Sequence, residues 1–260
     1  MNKYETVIYE KDDGIAYITL NRPKALNAVN TRMRDELYEV LPAIDDDPDT
    51  KVGILRGAGE RGFSAGADIT EFGTVPSQVI GRQIRWERDL WGQFLSVKKP
   101  LIVAIHGFAL GAGIEMSMCC DIRIASDDAR FGLPEVGIGM VPTAGGSQTM
   151  PRLVPQGMSM GLILTGEIIS AAEALRIGLV HHVVSRDELL ATAERFARKI
   201  MSRSQTALRY AKQALRRSQD LPLDQGLEME RRLFSMVLAS EDAQKGIKAY
   251  REGQIPQFAT

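Results

Sequence analysis

The sequence predicts an α/β fold followed by a helical C-terminal region, and three observations carry that expectation. Short β-type apolar runs alternate with segments of helical period through the first two thirds of the 260 residues. Most of the glycine lies in the same two thirds. The last third is rich in Ala, Arg, Glu, Leu and Met, residues that enter a helix at little cost. Strands alternating with helices point to β-α units around a mainly parallel sheet.

The chain opens with two β-type runs, residues 6–9 and 15–20, flanking Asp12-Asp13-Gly14, a hairpin turn signal. Met33, Leu37, Val40, Leu41 and Ile44 then recur at helical spacing. Val52-Gly53-Ile54-Leu55 is a short buried strand candidate. Leu101-Ile102-Val103-Ala104-Ile105, after Pro100, is another, and Asp121-Ile122-Arg123-Ile124-Ala125 alternates sides as a third. Ser170-Ala171-Ala172-Glu173 and Ser185-Arg186-Asp187-Glu188 have the spacing of helix-opening capping boxes. From about residue 186 the pattern is helical, with a break near Leu221-Pro222. Two regions are expected, a body over 1–195 and a helical region over 196–260.

Lysine and arginine total 32 against 33 aspartates and glutamates, a net charge of −1. That balance argues against nucleic acid as a partner. Apolar residues make up 44% and charged residues 25%, the mixture of a soluble globular protein. The apolar run at 101–105 is far below the ~20 residues of a membrane span, so no membrane partner is expected. The only cysteines, Cys119 and Cys120, are adjacent, which leaves no disulfide framework and favours a reducing compartment. Met1-Asn2-Lys3-Tyr4-Glu5 has no apolar segment behind its charge, so no secretory signal and a cytoplasmic location are expected.

Several chemistries lack their residues. Gly111 and Gly113 begin a dinucleotide-type G-x-G-x-x-G, but Met116 replaces the third glycine. Gly161 and Gly166 have phosphate-loop spacing, but Glu167 stands where the lysine belongs. There is no G-x-S-x-G. His106, His181 and His182 have no metal-ligand spacing, so no metal is expected. His106 ends an apolar strand and suits the core, and His181-His182 suits a solvated loop.

Three glycine-rich stretches remain: Phe63-Ser64-Ala65-Gly66-Ala67-Asp68, residues 106–115 and residues 131–146. The second follows a strand and opens a helix near Gly111. The unpaired N–H groups of that first turn form a site for a developing oxyanion. Glu115 stands one turn on from Ala112 among Ile114, Met116 and Met118. A capping-box role would need a Ser or Thr hydroxyl that Gly111 lacks. Glu135 follows Leu133-Pro134, where it could simply favour a helix N-terminus. Two glutamates in such settings can also divide base and acid work.

These stretches resemble the signature loops of the enoyl-CoA hydratase/isomerase (crotonase) superfamily. The likeness begins at Leu20-Asn21-Arg22-Pro23-Lys24-Ala25-Leu26-Asn27-Ala28. It runs through residues 63–68, 107–121, 131–146, Leu164-Thr165-Gly166, Ala171-Ala172-Glu173-Ala174 and Gly178-Leu179-Val180, and so spans most of the chain.

The resemblance implies a crotonase-like spiral of β-β-α units with a C-terminal helical trimerisation region. It implies an acyl-CoA thioester substrate, with coenzyme A arriving as part of that substrate and no separate cofactor. The oxyanion donors would be the backbone N–H groups of Ala67 and Ala112. Glu115 and Glu135 would be the acid/base pair of a hydratase that adds water across the 2,3 double bond. Asp68, Ile69 and Thr70 would line the pantetheine and adenine end, with Lys24, Ala25 and Leu26 near the nucleotide. Ala28, Ala65, Gly66, Gly111 and Pro134 would complete the substrate contacts. Thr143 stands where many hydratases have glycine. Gly253-Gln254-Ile255 occupies the place of a lysine that reaches coenzyme A in some relatives. Residues 72–91, with Trp86 and Trp91, would border the acyl pocket, although both tryptophans also suit the core. A homotrimer or a hexamer of paired trimers is expected. An isomerase, or a hydratase or dehydratase of a cyclic or otherwise unusual acyl-CoA, is the alternative within the family. A non-catalytic RNA- or CoA-binding homologue is the alternative of another class.

Overall fold

The computed structural model describes residues 4–74 and 77–258. Strands β1 (Val7–Asp12) and β2 (Ile15–Leu20) form the expected hairpin, its first strand longer than the apolar run suggested. Asp13 and Gly14 both take positive φ, 43° and 79°, as a two-residue turn matched to strand twist requires. Helix α1 (Thr31–Asp46) buries the five predicted apolar positions and is capped by the Asn30 side chain. Then follow β3 (Val52–Gly57), α2 (Gln78–Glu87), α3 (Leu90–Ser96), β4 (Leu101–Ile105), β5 (Phe108–Leu110), α4 (Ala112–Met118), β6 (Ile122–Ser126) and β7 (Arg130–Gly132). Next come α5 (Gly146–Leu153), α6 (Gln156–Thr165), β8 (Ile169–Ser170), α7 (Ala171–Arg176), β9 (His182–Val184) and α8 (Leu189–Met201). Helices α9 (Gln205–Arg217), α10 (Leu223–Leu238) and α11 (Glu241–Arg251) close the chain.

The large sheet has the order β1-β2-β3-β4-β6-β9, parallel throughout except for the opening hairpin. A small second sheet, β5-β7-β8, holds the strands that alternate with it along the chain. The large sheet is covered on both faces, which explains its near-continuous apolar strands. Successive residues point to opposite sides. Ile54, Ile102, Ala104 and Ile124 pack on Leu189, Ala193 and Ala197 of α8. Leu55, Val103 and Ile105 face the main core with α1, α3 and α4.

The structure corrects two boundary expectations. The 195/196 division falls inside α8, a helix of the sheet's cover, so the body extends to Met201. Ser170 caps α7 through Glu173 N, but Ser185 makes no side-chain cap and leads into a 3-10 turn, Arg186–Glu188. Helix α9 is tied back to the body. Lys212 Nζ lies 2.6 Å from Asp121 Oδ2, and Arg216 Nη2 lies 2.8 Å from Asp121 Oδ1. Among the described residues no helix is long and apolar enough to cross a membrane.

Candidate active site

The site is assembled where three loops meet over the N-terminus of α4. After β4, Phe63 N donates to His106 O, Ser64 N donates to Phe108 O, and Leu110 N donates back to Ser64 O, at 2.8–3.0 Å. This ladder sets residues 62–64 beside residues 107–110. It also brings the Gly66 loop against the start of α4. A Cβ on Gly66 would stand 2.8 Å from Leu110 O and 3.3 Å from Ala112 N. Gly66 has φ +101°, so glycine is required there for both space and conformation.

Gly111 is the N-cap of α4, at φ 50° and ψ −125°, and makes no side-chain cap. The N–H of Ala112 is the first in the helix and has no intrahelical acceptor. Neither it nor the N–H of Ala67 meets an acceptor among the described residues. The two expected oxyanion donors therefore belong to abutting loops.

Glu115 is 2% exposed. Its Oε1 accepts Ala144 N at 3.0 Å and Gly146 N at 2.7 Å, which fixes the carboxylate's orientation. A Cβ on Gly146 would stand 2.8 Å from that oxygen, so the loop can approach only as glycine. Glu135 lies in a 3-10 segment, Pro134–Ile138, with Pro134 at its first turn. A Cβ on Gly111 would meet Glu135 Oε1 at 3.0 Å, which puts this second carboxylate over the N-terminus of α4. Glu135 Oε2 is buried without a hydrogen-bond partner among the described residues. Burial pushes the Glu135 carboxyl above the usual carboxylate range. Both glutamates thus flank the turn that carries the Ala112 donor.

The remaining expected contacts form a rim. Lys24, Ala25 and Ala67 are exposed, and Leu26, Ala28, Ala65 and Pro134 are partly buried. Ile69 and Thr143 are exposed, and Thr143 adjoins the Ala144 amide that holds Glu115. Asp68 and Thr70 are engaged with the protein itself. Asp68 accepts from Thr70 Oγ1 at 2.7 Å and pairs with Arg22 at 2.9 Å, and these bonds hold its carboxyl below the usual range.

The tryptophans and histidines resolve one by one. Trp91 packs on the core beside Phe94, whereas Trp86 is 74% exposed and is not a core residue. Residues 75 and 76 of the segment expected to border the acyl pocket lie outside the described residues. His106 is a core residue as expected, its Nε2 2.9 Å from Gly59 O. His181 is exposed overall, yet its ring is not simply solvated. Arg123 N donates to Nδ1 at 3.0 Å, and burial with the Arg123 charge depresses its pKa to about 4. His182 lies in β9 against the Phe196 ring. Among the described residues no group of three His, Cys, Asp or Glu could hold a metal ion.

Sequence reasoning missed the amide clamp of Ala144 and Gly146 on Glu115, and it missed Asn27. The Asn27 side chain accepts from Arg22 N at 2.9 Å and donates to Ala58 O and Gly62 O at 2.9 and 3.1 Å. Its place inside the Leu20–Ala28 motif, among apolar neighbours, was the available signal.

Comparison with known proteins agrees with the fold. The enoyl-CoA hydratase/isomerase family model matches residues 10–260. The short-chain-enoyl-CoA hydratase of Clostridium acetobutylicum is 43% identical over 252 residues, covering 95% of this chain and 94% of that one. The crotonyl-CoA hydratase of Syntrophomonas wolfei is 38% identical over 255 residues, covering 98% of each. Among solved structures, an enoyl-CoA hydratase from Bacillus anthracis superposes with a TM-score of 0.92 at 35% identity, over 98% of this chain and 99% of that one.

Proposed function

This chain belongs to the enoyl-CoA hydratase/isomerase family, and from that premise we propose that it hydrates the 2,3 double bond of a 2-enoyl-CoA thioester. The observation that carries the reading is the pair of carboxylates flanking an open backbone donor. Glu115 is oriented by two amides, and Glu135 has a buried oxygen without a partner.

The thioester carbonyl accepts hydrogen bonds from Ala67 N–H and Ala112 N–H. As water adds to the β-carbon, the C=C electrons move to the α-carbon and the carbonyl oxygen, giving an enolate. Donors aimed at that oxygen act only as its charge develops, each worth about 2.7–4 kcal/mol. Glu115 takes a proton from the attacking water, and Glu135 delivers its proton to the α-carbon. The product has gained one water, and proton exchange between the carboxyl groups and solvent resets the site. Dehydration runs the same steps backwards. Coenzyme A enters as part of the substrate, and the scheme calls for no separate cofactor.

The enzyme works as a homotrimer or a dimer of trimers in this reading, supported by the exposed apolar residues of its C-terminal helices. The free, buried thiols of Cys119 and Cys120 support the cytoplasm as its location. The test is the loss of enoyl absorbance of crotonyl-CoA, with product identified by mass. The expected result is saturable gain of one water, and loss of at least about 10²-fold in kcat for both Glu115→Gln and Glu135→Gln with thioester binding retained. A product of unchanged mass with a shifted double bond would replace the hydratase reading with isomerase chemistry. Binding without turnover by the unaltered protein would make it a non-catalytic homologue.

A further inference from the structure

We propose that Ser64 and Asn27 are positioning residues that aim the Ala67 amide into the oxyanion site. The proposal rests on the assignment of Ala67 as a donor and adds how its direction is set.

The Ala67 N–H belongs to the peptide whose carbonyl is Gly66 C=O. In a trans peptide the two point in opposite directions, so whatever holds the carbonyl also aims the N–H. Val29 N donates to Gly66 O at 2.8 Å. The Ala67 N–H is thereby turned away from the strand-like bridge between Val29 and Ala67. On the other side of Gly66, its own N–H donates to Ser64 Oγ at 3.3 Å, and Ser64 Oγ–H donates to Asn27 O at 2.8 Å. One hydroxyl therefore links Gly66 to the residue 22–28 loop, and Ala65 N reinforces the link by donating to Leu26 O at 2.9 Å.

The accepting carbonyls are held in place at a conformational cost. Leu26 and Asn27 are consecutive left-handed residues, φ 51° and 53°. A leucine there is strained, whereas asparagine is the non-glycine residue that enters this region most readily. The surroundings over-determine them: the Asn27 side chain closes on Arg22 N, Ala58 O and Gly62 O, and both Asn27 and Ser64 are fully buried. Neither side chain is a candidate to touch the substrate. Ser64 holds the peptide before Gly66 and Val29 N holds the peptide after it, while the Asn27 side chain fixes the loop whose Leu26 and Asn27 carbonyls accept from Ala65 N and Ser64 Oγ. Between them Gly66, at φ +101°, turns the chain toward Ala112.

The test compares the whole protein with Ser64→Ala and with Asn27→Gly, which keeps the left-handed backbone and the carbonyl but removes the side-chain clamp. Ser126→Ala is the control, since Ser126 is as fully buried and its hydroxyl donates to Asp128 Oδ1, outside the loops of the site. The probes are the infrared carbonyl stretch of bound butyryl-CoA, a non-reacting saturated thioester, and kcat and KM on crotonyl-CoA. In the unaltered protein the stretch falls on binding, as a carbonyl polarised by two donors requires. Ser64→Ala and Asn27→Gly are expected to restore part of that shift and to lower kcat about 10–10²-fold with KM changed less than about threefold, the signature of a misplaced transition-state donor. Ser126→Ala is expected to move neither.

An unchanged stretch in a folded Ser64→Ala or Asn27→Gly protein overturns the positioning role, whatever happens to kcat, and leaves the hydratase reading intact. If one variant fails to fold, the other decides. A bound carbonyl unshifted even in the unaltered protein overturns both the donor assignment and the positioning role. A shifted carbonyl without hydration overturns the hydratase reading alone.

Discussion

At the scale of single residues the two glutamates are treated differently by the fold, and the difference has a sign. Glu115 accepts two backbone amides, whereas Glu135 keeps a buried oxygen with no partner and its carboxyl titrates high because burial disfavours the charge. If Glu135 supplies the α-proton, hydration needs it protonated. The alkaline limb of kcat/KM for hydration is then expected to follow this raised carboxyl, falling as pH climbs through it, and Glu135→Gln should abolish that limb with the residual rate. The same burial carries a stability cost. A carboxyl whose folded pKa lies above its unfolded one favours the fold below the unfolded pKa and loses that contribution as pH rises through the folded one. Glu135→Gln removes the charge with little change of shape, so it should be the more thermostable protein at pH 7–8. The difference in Tm should shrink toward zero in acid, where the glutamate is neutral. Thermal melts across pH check this, and a Tm gap that widens in acid would contradict it. The type of residue at 115 and 135 was legible from the loops, but the pairing of Glu115 with amides at 144 and 146 was not. That contact spans about thirty residues of chain and depends on a loop conformation that no local pattern encodes.

At the scale of elements, α4, which carries Ala112 and Glu115, is a seven-residue helix with every residue buried, held by close backbone approach. A Cβ on Gly113 would stand 2.7 Å from Ser64 O and 2.8 Å from Ser64 Cβ, with no flexible side-chain end to yield. Gly113→Ala should therefore cost about 1–3 kcal/mol in denaturant unfolding, through overpacking and despite alanine's better helix propensity. Gly146→Ala presses on Glu115 Oε1 itself. Its expected effect is about a tenfold or greater fall in kcat with KM nearly unchanged, measured by steady-state kinetics. A loss confined to KM would mean that the loop contacts the substrate instead of orienting the carboxylate. Elements with long periodic patterns were legible: α1 by its 3-4 spacing and the β1–β2 hairpin by its turn. The small sheet was not, because β5 and β7 have three residues each and β8 has two. Such runs are too short to show a period, and their pairing is set by the loops they brace. The body boundary was placed too early because α8 is as helical in composition as α9–α11. Its burial against Ile54, Ile102 and Ile124 is a tertiary fact.

At the scale of the whole molecule, the C-terminal region from α9 onward carries apolar surface that the chain itself does not cover. Leu215, Leu223, Phe234, Tyr250 and Ile255 are 72%, 78%, 63%, 85% and 81% exposed. Helix α9 is nonetheless fixed, since Asp121 directly beyond the buried Cys119 and Cys120 receives both Lys212 and Arg216. The tail is thus fastened through α9 to Asp121, just beyond the end of α4. Burying each large side chain is worth about 1.5–3 kcal/mol. Five of them per subunit reach the magnitude of the association cost itself, about 4–15 kcal/mol. In the trimer reading this face lies between subunits, and the expected solution mass is about three or six times the 28.7 kDa of the chain. Phe234→Asp tests the surface directly. Phe234 is mostly exposed on α10 in the single chain, so the substitution leaves the subunit core intact while a buried, unpaired carboxylate opposes the interface. Light scattering on the unaltered protein and on Phe234→Asp should show the mass fall toward that of one chain, with the circular dichroism of the folded subunit retained. A monomeric unaltered protein would overturn the oligomer reading, and a variant of unchanged mass would locate the subunit contacts elsewhere than on α10.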